Sequence, residues 1–233
     1  MALFSLLSTP FGSVAQSNKF NVKHIFTLFL SSLILVLAGC SSVPDTQENY
    51  SVDWLAHKDN LEKIEAFKVS GKIGYKDAKQ RESLSFVMKH SADYSELKLL
   101  SLFGQTVLTV QMSPTGAMVS NSDGEVQTAA KADDLIEKLI GISIPVSQLP
   151  DWIKGLPTNA DSVLFNESNT VSSLAKLIDH RAWQLAYMSY QSVPTQGTSV
   201  EKALGGKNIT LPKQMQLQQK DTQVKILITK WIL

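Results

Sequence analysis

Between Lys68 and Thr128 the chain alternates apolar and polar residues. Successive side chains of a strand point to opposite faces, so this pattern demands strands with one dry face and one wet face. Val69, Gly71, Ile73 and Tyr75 alternate with Lys68, Ser70, Lys72 and Gly74. Leu84, Phe86 and Met88 alternate with Ser83, Ser85 and Lys89. Tyr94–Leu102 and Thr106–Met112 follow, then shorter runs near Ala117–Ser120 and Glu125–Thr128. Asp77-Ala78-Lys79, Ser91-Ala92-Asp93, Pro114-Thr115-Gly116 and Ser122-Asp123-Gly124 separate the runs as turns. A spacing of about eight to twelve residues suits an antiparallel meander that curls.

Helical spacing replaces this pattern in three places. In Asp53–Phe67, the residues Trp54, His57, Leu61 and Ile64 share one face, and Asp53 is placed to cap the N-terminus. His57 in that stripe reads as a packed or hydrogen-bonded histidine, not a ligand or base. Ala132–Ile140 puts Leu135, Ile136, Leu139 and Ile140 on one side, with Asp133 and Asp134 in the first turn to complement the helix dipole and Gly141 to end it. Val146–Lys154 predicts a third helix with Leu149, Trp152 and Ile153 inward, and Pro150 in its first turn or breaking it. Gly155-Leu156-Pro157 then turns the chain. Strands return in Ser162–Phe165, Thr170–Ile178 and the alternation Trp183, Leu185, Tyr187. Gln191–Lys207 is polar and Gly-rich and predicts a loop. Met215–Gln219 and Gln223–Leu233 predict a closing hairpin, with Val224, Ile226, Ile228 and Ile232 on one face. The fold class is mainly β with α: an antiparallel sheet partly closed into a barrel, with helices across its mouth.

The N-terminal stretch is of another kind. Lys19 and Lys23 precede an apolar run from Ile25 to Leu37, no acidic residue occurs before Cys40, and Leu37-Ala38-Gly39 leads into the only cysteine. A basic flank, a short apolar core and small residues make a secretory signal. The run, about a dozen residues, is too short to cross roughly 30 Å of hydrocarbon as a helix. Leu37-Ala38-Gly39-Cys40 resembles the bacterial lipobox, which implies a diacylglyceryl group on the thiol, an N-acyl group, and Cys40 as the mature N-terminus. The competing reading is a buried free thiol beside a failed membrane helix. By the sorting rule associated with the lipobox, Asp after the cysteine would retain a protein inside. Ser41 therefore predicts the outer membrane, facing the periplasm. Met1–Asn18 lengthens the region ahead of the signal, as a misplaced translation start would. The expected organisation is a signal peptide over 1–39, a lipidated N-terminus and flexible tether over 40–52, and one domain over 53–233.

Cleavage before Cys40 leaves 194 residues, with 20 Lys+Arg against 21 Asp+Glu. That balance points to no nucleic-acid partner. His24, His57, His90 and His180 are scattered without metal-ligand spacing, and no nucleophile-elbow, zinc-protease or phosphate-loop motif occurs. Asp133-Asp134 reads as a helix start, because adjacent helix residues point apart. The weight falls on a monomeric binding protein without cofactor or metal, not an enzyme.

Several stretches together resemble the LolB family, the outer-membrane receptors of the bacterial lipoprotein localisation system. Trp54, His57, Leu61 and Ile64 open the match, followed by Gly71 and Ile73. The Gly141–Pro157 block carries its most specific part, with Leu149, Trp152-Ile153 and Gly155-Leu156-Pro157. Trp183–Tyr187, Leu211-Pro212 and Trp231 continue it. Phe67 departs from the family, which commonly has Trp there; both are large aromatics, so the change is one of packing. The resemblance implies an unclosed antiparallel β-barrel with helices inside or across its opening. It also implies a hydrophobic cavity for acyl chains, a periplasmic carrier resembling LolA as donor, lipoprotein cargo, and outer-membrane phospholipid as the destination. The inward residues expected at the cavity are Ile73, Leu84, Phe86, Met88, Leu99, Leu108, Val110, Leu185, Ile226 and Ile228; the competing reading makes most of them a closed core. Between two strand runs, Leu102-Phe103-Gly104 puts large apolar residues where a polar turn is normal. In the family this loop carries a protruding leucine that helps deliver cargo to the membrane, so Phe103, with Leu102, is expected to be exposed and to insert. The alternative function is a structural lipoprotein that docks proteins through a sheet edge without acyl-chain transfer.

Overall fold

The computed structural model describes residues 51–140 and 144–233. The expected signal peptide, Cys40, the expected tether as far as Tyr50, and Gly141, Ile142 and Ser143 lie outside the described residues. The elements in chain order are α1 (Trp54–Glu62), β1 (Phe67–Lys76), β2 (Arg81–Ser91), β3 (Tyr94–Leu100), β4 (Thr106–Ser113), β5 (Gly116–Asn121), β6 (Val126–Ala129) and α2 (Ala132–Ile140). A 3-10 turn (Val146–Gln148), α3 (Leu149–Trp152), β7 (Ser162–Phe165), β8 (Val171–Ile178), β9 (Arg181–Val193), α4 (Glu201–Leu204), β10 (Ile209–Gln219) and β11 (Thr222–Ile232) complete it. The strands form one antiparallel sheet in the order β6-β5-β4-β3-β2-β1-β11-β10-β9-β8-β7. Every hairpin joins neighbours, the long connection through α2 and α3 runs from one edge strand, β6, to the other, β7, and the last strand, β11, pairs with the first, β1. The edges β6 and β7 do not pair, so the barrel is unclosed.

Local chemistry sets the turns. The Asp77 carboxylate accepts from Tyr75 Oη and from the N–H groups of Lys79 and Gln80, each at 2.7 Å, which closes the β1–β2 turn. These hydrogen bonds hold Asp77 below the usual carboxylate range, the Tyr75 hydroxyl first among them. Asp53 caps α1 through Oδ1, which accepts from Leu55 N and Ala56 N. The apolar faces of the strands and the helical segments share one core, in which Leu61, Ile64, Val69, Met88, Val110, Trp152, Leu211 and Ile228 are buried.

Four expectations need correction. The first helix stops at Glu62, not Phe67. Phe67 opens β1 instead, opposite His90, with its ring 5.4 Å from that of Trp231. The segment Val146–Lys154 is not one helix but a 3-10 turn and then a single α-helical turn. Pro150 sits in that turn because its missing N–H and its ring cannot continue a helix from Val146. The expected loop Gln191–Lys207 is loop only in part: β9 runs to Val193, α4 occupies Glu201–Leu204, and Gly205 ends it at φ +66°. In β10 the run Ile209–Pro212 is buried on both faces, so it carries no alternation to read. Finally, Ile232 does not share the face of Val224, Ile226 and Ile228. Ser70 pairs with Lys230 and Gly71 with Ile228, so Thr229 is an extra residue in β11. This bulge flips the following parity, turning Trp231 inward and leaving Ile232 exposed. Gly71 permits it: a Cβ there would collide with the Leu227 carbonyl oxygen.

Candidate functional site

Between the sheet and the helical segments lies an apolar cavity of about 210 Å³. Its sheet wall comprises Ile73 and Tyr75 of β1, Leu84 of β2, Leu97 and Leu99 of β3, Val107, Leu108 and Val110 of β4, and Val224 of β11. Ile136 of α2, with Ile144 and Val146 of the connection that follows it, forms the opposite side. Gln80 and Glu82 supply the polar edge. Period-two alternation puts these strand residues, Val107 excepted, on one face, and the curl of the sheet turns that face into a wall.

Five of the ten residues expected at the cavity line it: Ile73, Leu84, Leu99, Leu108 and Val110. Phe86, Met88, Leu185, Ile226 and Ile228 are buried but are not among its walls. They belong to the solid part of the core, where Trp152, Ile153, Leu61 and Ile64 fill the interior. Trp152 is held beside β9 by its carbonyl, which accepts from Tyr187 Oη at 2.8 Å. Lys154 is buried as well; its ammonium donates to the Ile64 carbonyl and pairs with Asp151 at 3.5 Å, while burial lowers its pKa. Tyr75 and Val224 carried the right parity in the sequence, and Ile136 lay on the apolar face of its helix. Val107 has the parity of the outer face, so alternation could not mark it.

α2 bridges the open sheet. It packs on β4, β5 and β6, and Glu137 accepts from both terminal nitrogens of Arg181 at 2.7 and 2.8 Å, reaching the start of β9. Asp133 accepts from Ser147 N at 2.9 Å and from Ser147 Oγ at 2.8 Å, which joins the two helical segments. Burial raises the Asp133 pKa, with the Ser147 hydrogen bonds acting against it. Asp133 and Asp134 thus serve the helix start and its packing, not acid–base chemistry. His57 is buried in α1 beside Trp54, and burial lowers its pKa to about 4.

The hairpin that walls the cavity continues into the loop at 101–105. Ser101 N donates to Gln105 O at 2.8 Å, Gly104 N donates to Ser101 O at 3.0 Å, and Gly104 adopts φ +79°. Leu102 is 84% exposed and Phe103 93% exposed. Two large apolar side chains therefore stand in solvent at the tip of the β3–β4 hairpin, within a few residues of Leu99 and Val107. Among the described residues, no cluster of His, Cys, Asp or Glu could hold a metal ion.

The fold and site define an unclosed antiparallel β-barrel, bridged by helices, with an apolar cavity and an apolar hairpin tip. The sequence pattern of the family described as "Outer membrane lipoprotein LolB" matches residues 65–231, and the chain belongs to that family. A LolB from Vibrio campbellii is 40% identical over 90% of this chain and 97% of its own length. That of Vibrio cholerae is 38% identical over 88% of this chain and 94% of its own. The crystal structure of a LolA superfamily protein from Nitrosomonas europaea, 8% identical, covers 78% of this chain and 94% of that one at a TM-score of 0.40. Membership places the chain among lipid-anchored outer-membrane lipoproteins with a role in lipoprotein localisation; the family is not one of enzymes.

Proposed function

We propose that the chain accepts lipoproteins from a LolA-like periplasmic carrier by binding their acyl chains in the apolar cavity, and releases them into the outer membrane. Cys40 carries the S-diacylglyceryl and N-acyl groups that anchor it, the tether reaches to residue 52, and the domain from Asp53 onward does the work. The observation that carries this reading is the continuity of cavity and tip. One hairpin supplies Leu97, Leu99, Leu108 and Val110 to the cavity and ends in exposed Leu102 and Phe103.

Transfer needs no energy-coupling motif. An acyl chain gains about 0.8 kcal/mol for each CH₂ removed from water. Both an apolar cavity and a bilayer provide that burial. A descending order of free energy from carrier to receptor to membrane is enough, and each tenfold step in affinity is about 1.4 kcal/mol. Phe103 inserts into the acyl boundary of the bilayer, where full burial of such a side chain contributes about 1.5–3 kcal/mol, and so sets the receptor at the surface that takes the cargo.

Phe103→Glu tests the reading. The variant should fold and accept acylated cargo from the carrier as the parent does, while release of that cargo into liposomes falls at least tenfold. Undiminished release, or a thermal transition lowered enough to mark Phe103 as core, removes the basis for an insertion role. An inability of the parent itself to take acylated cargo would favour protein docking without transfer.

A further inference from the structure

The outer face of the central strands carries a charge pattern that neither the cavity nor the hairpin tip uses. Strand pairing aligns its residues in rows across β3, β2, β1 and β11. Lys89 pairs with Lys68, and Arg81 with Lys76. Lys98 lies in one row with Val87, Ser70 and Lys230. Lys72 and Lys225 occupy the two rows between. Seven of these eight bases are exposed and Lys98 is half-exposed. The one carboxylate among them is Glu96, which pairs with Lys98 at 3.4 Å and is itself largely covered. Residues 51–233 hold 20 basic and 19 acidic side chains, so eight bases and one acid on a single face is a strong segregation.

This pattern opposes stability. Lys68 against Lys89 and Lys76 against Arg81 are like charges directly opposite one another, a destabilising arrangement. Between them stand small or neutral residues such as Ser70, Gly74, Ser83 and Ser85. Seven of the eight bases are lysines, flexible point charges suited to a diffuse layer of phosphates, whereas arginine suits bidentate contact with a fixed partner.

We propose that this face seats the domain on the anionic phospholipid headgroups of the membrane that anchors it, so that the barrel lies on its side. The inference deepens the proposed function in one respect: it rests on the anchor at Cys40, not on the cavity or on Phe103. The geometry of the chain favours it. α1 enters the sheet at the Phe67 end of β1, and the Phe103 hairpin projects from the other end. Lying on the face between them keeps both ends beside the bilayer. The 14 residue steps from Cys40 to Trp54 can reach at most about 49 Å from the anchor. Clusters of bases at a surface are attracted to anionic lipid, and the attraction is lost beyond a Debye length and screened by salt.

Lysine footprinting of the full lipidated chain in vesicles tests the proposal. In vesicles containing phosphatidylglycerol, acetylation of Lys68, Lys72, Lys89, Lys225 and Lys230 should slow at least about fivefold relative to Lys63, Lys138 and Lys202. The protection should vanish in phosphatidylcholine vesicles and at high salt. A variant with Lys72→Gln, Lys89→Gln and Lys225→Gln, folded by circular dichroism, should lose the protection at Lys68 and Lys230. Equal labelling in both kinds of vesicle overturns the proposal. So does protection that arises only when an acidic protein is added, which would assign the face to a protein partner. Phe103→Glu should retain the protection, so failed cargo release with intact protection condemns the insertion role and not this face.

Discussion

Acidification should loosen the end of the domain that receives the tether, and His57 gives the effect a magnitude. The imidazole is buried in α1, and burial alone lowers its pKa from 6.5 to about 4. The unfolded chain takes up this proton near pH 6.5, the folded chain only near pH 4. Between these values the unfolded state holds more protons, so the His57 contribution is whole above about pH 6.5 and declines as the pH falls. At about 1.36 kcal/mol per unit, the full loss is about 3 kcal/mol, with about 2 kcal/mol gone by pH 5. His90 is shifted in the same direction, chiefly by burial and then by the charge of Lys154, with Asp151 opposing. The whole protein should therefore show a steeper dependence than His57 alone supplies. Urea unfolding at pH 7 and pH 5, for the parent and for His57→Gln, isolates the His57 part because shared contributions cancel in the difference. The variant should lose about 2 kcal/mol less than the parent between the two conditions. An identical loss in both would show that His57 takes up its proton without disturbing the packing of α1, contrary to the reasoning.

Two further outcomes follow from the barrel interior and its seam. Gly71→Ala should destabilise the domain by about 1–3 kcal/mol, the usual range for overpacking, because the added methyl meets the Leu227 backbone and not a side chain that can move aside; a denaturation midpoint within error of the parent would contradict the close approach. Leu99→Trp should fill part of the cavity and weaken binding of a fluorescent fatty-acyl probe about tenfold, since displacing two methylenes forfeits about 1.6 kcal/mol. Unchanged affinity in that titration would mean the acyl chain binds elsewhere.

The strand faces, the helix start at Asp53 and the hairpin turns were legible in the sequence because each is local. Alternation along β1 reports which side chains are dry without knowledge of the neighbouring strand. An apolar pair beside Gly104 is conspicuous because turns are otherwise polar. The expected signal and lipobox around Cys40 are read from the same kind of local information and lie outside the described residues. Pairing decided the rest. Thr229 bulges because Gly71 lets the backbones close in, and only the register of β1 against β11 turns Trp231 inward and Ile232 outward. Phe86 and Leu99 look alike in sequence, yet one packs in the solid core and the other borders open volume, because helical side chains reach only part of the interior. The basic face likewise exists only where four strands align lysines that lie up to 162 positions apart in the chain, Lys68 and Lys230 being the extremes. Periodicity fixes a residue's side of its own strand; what shares that side, and whether it is filled, depends on the packing of the whole sheet.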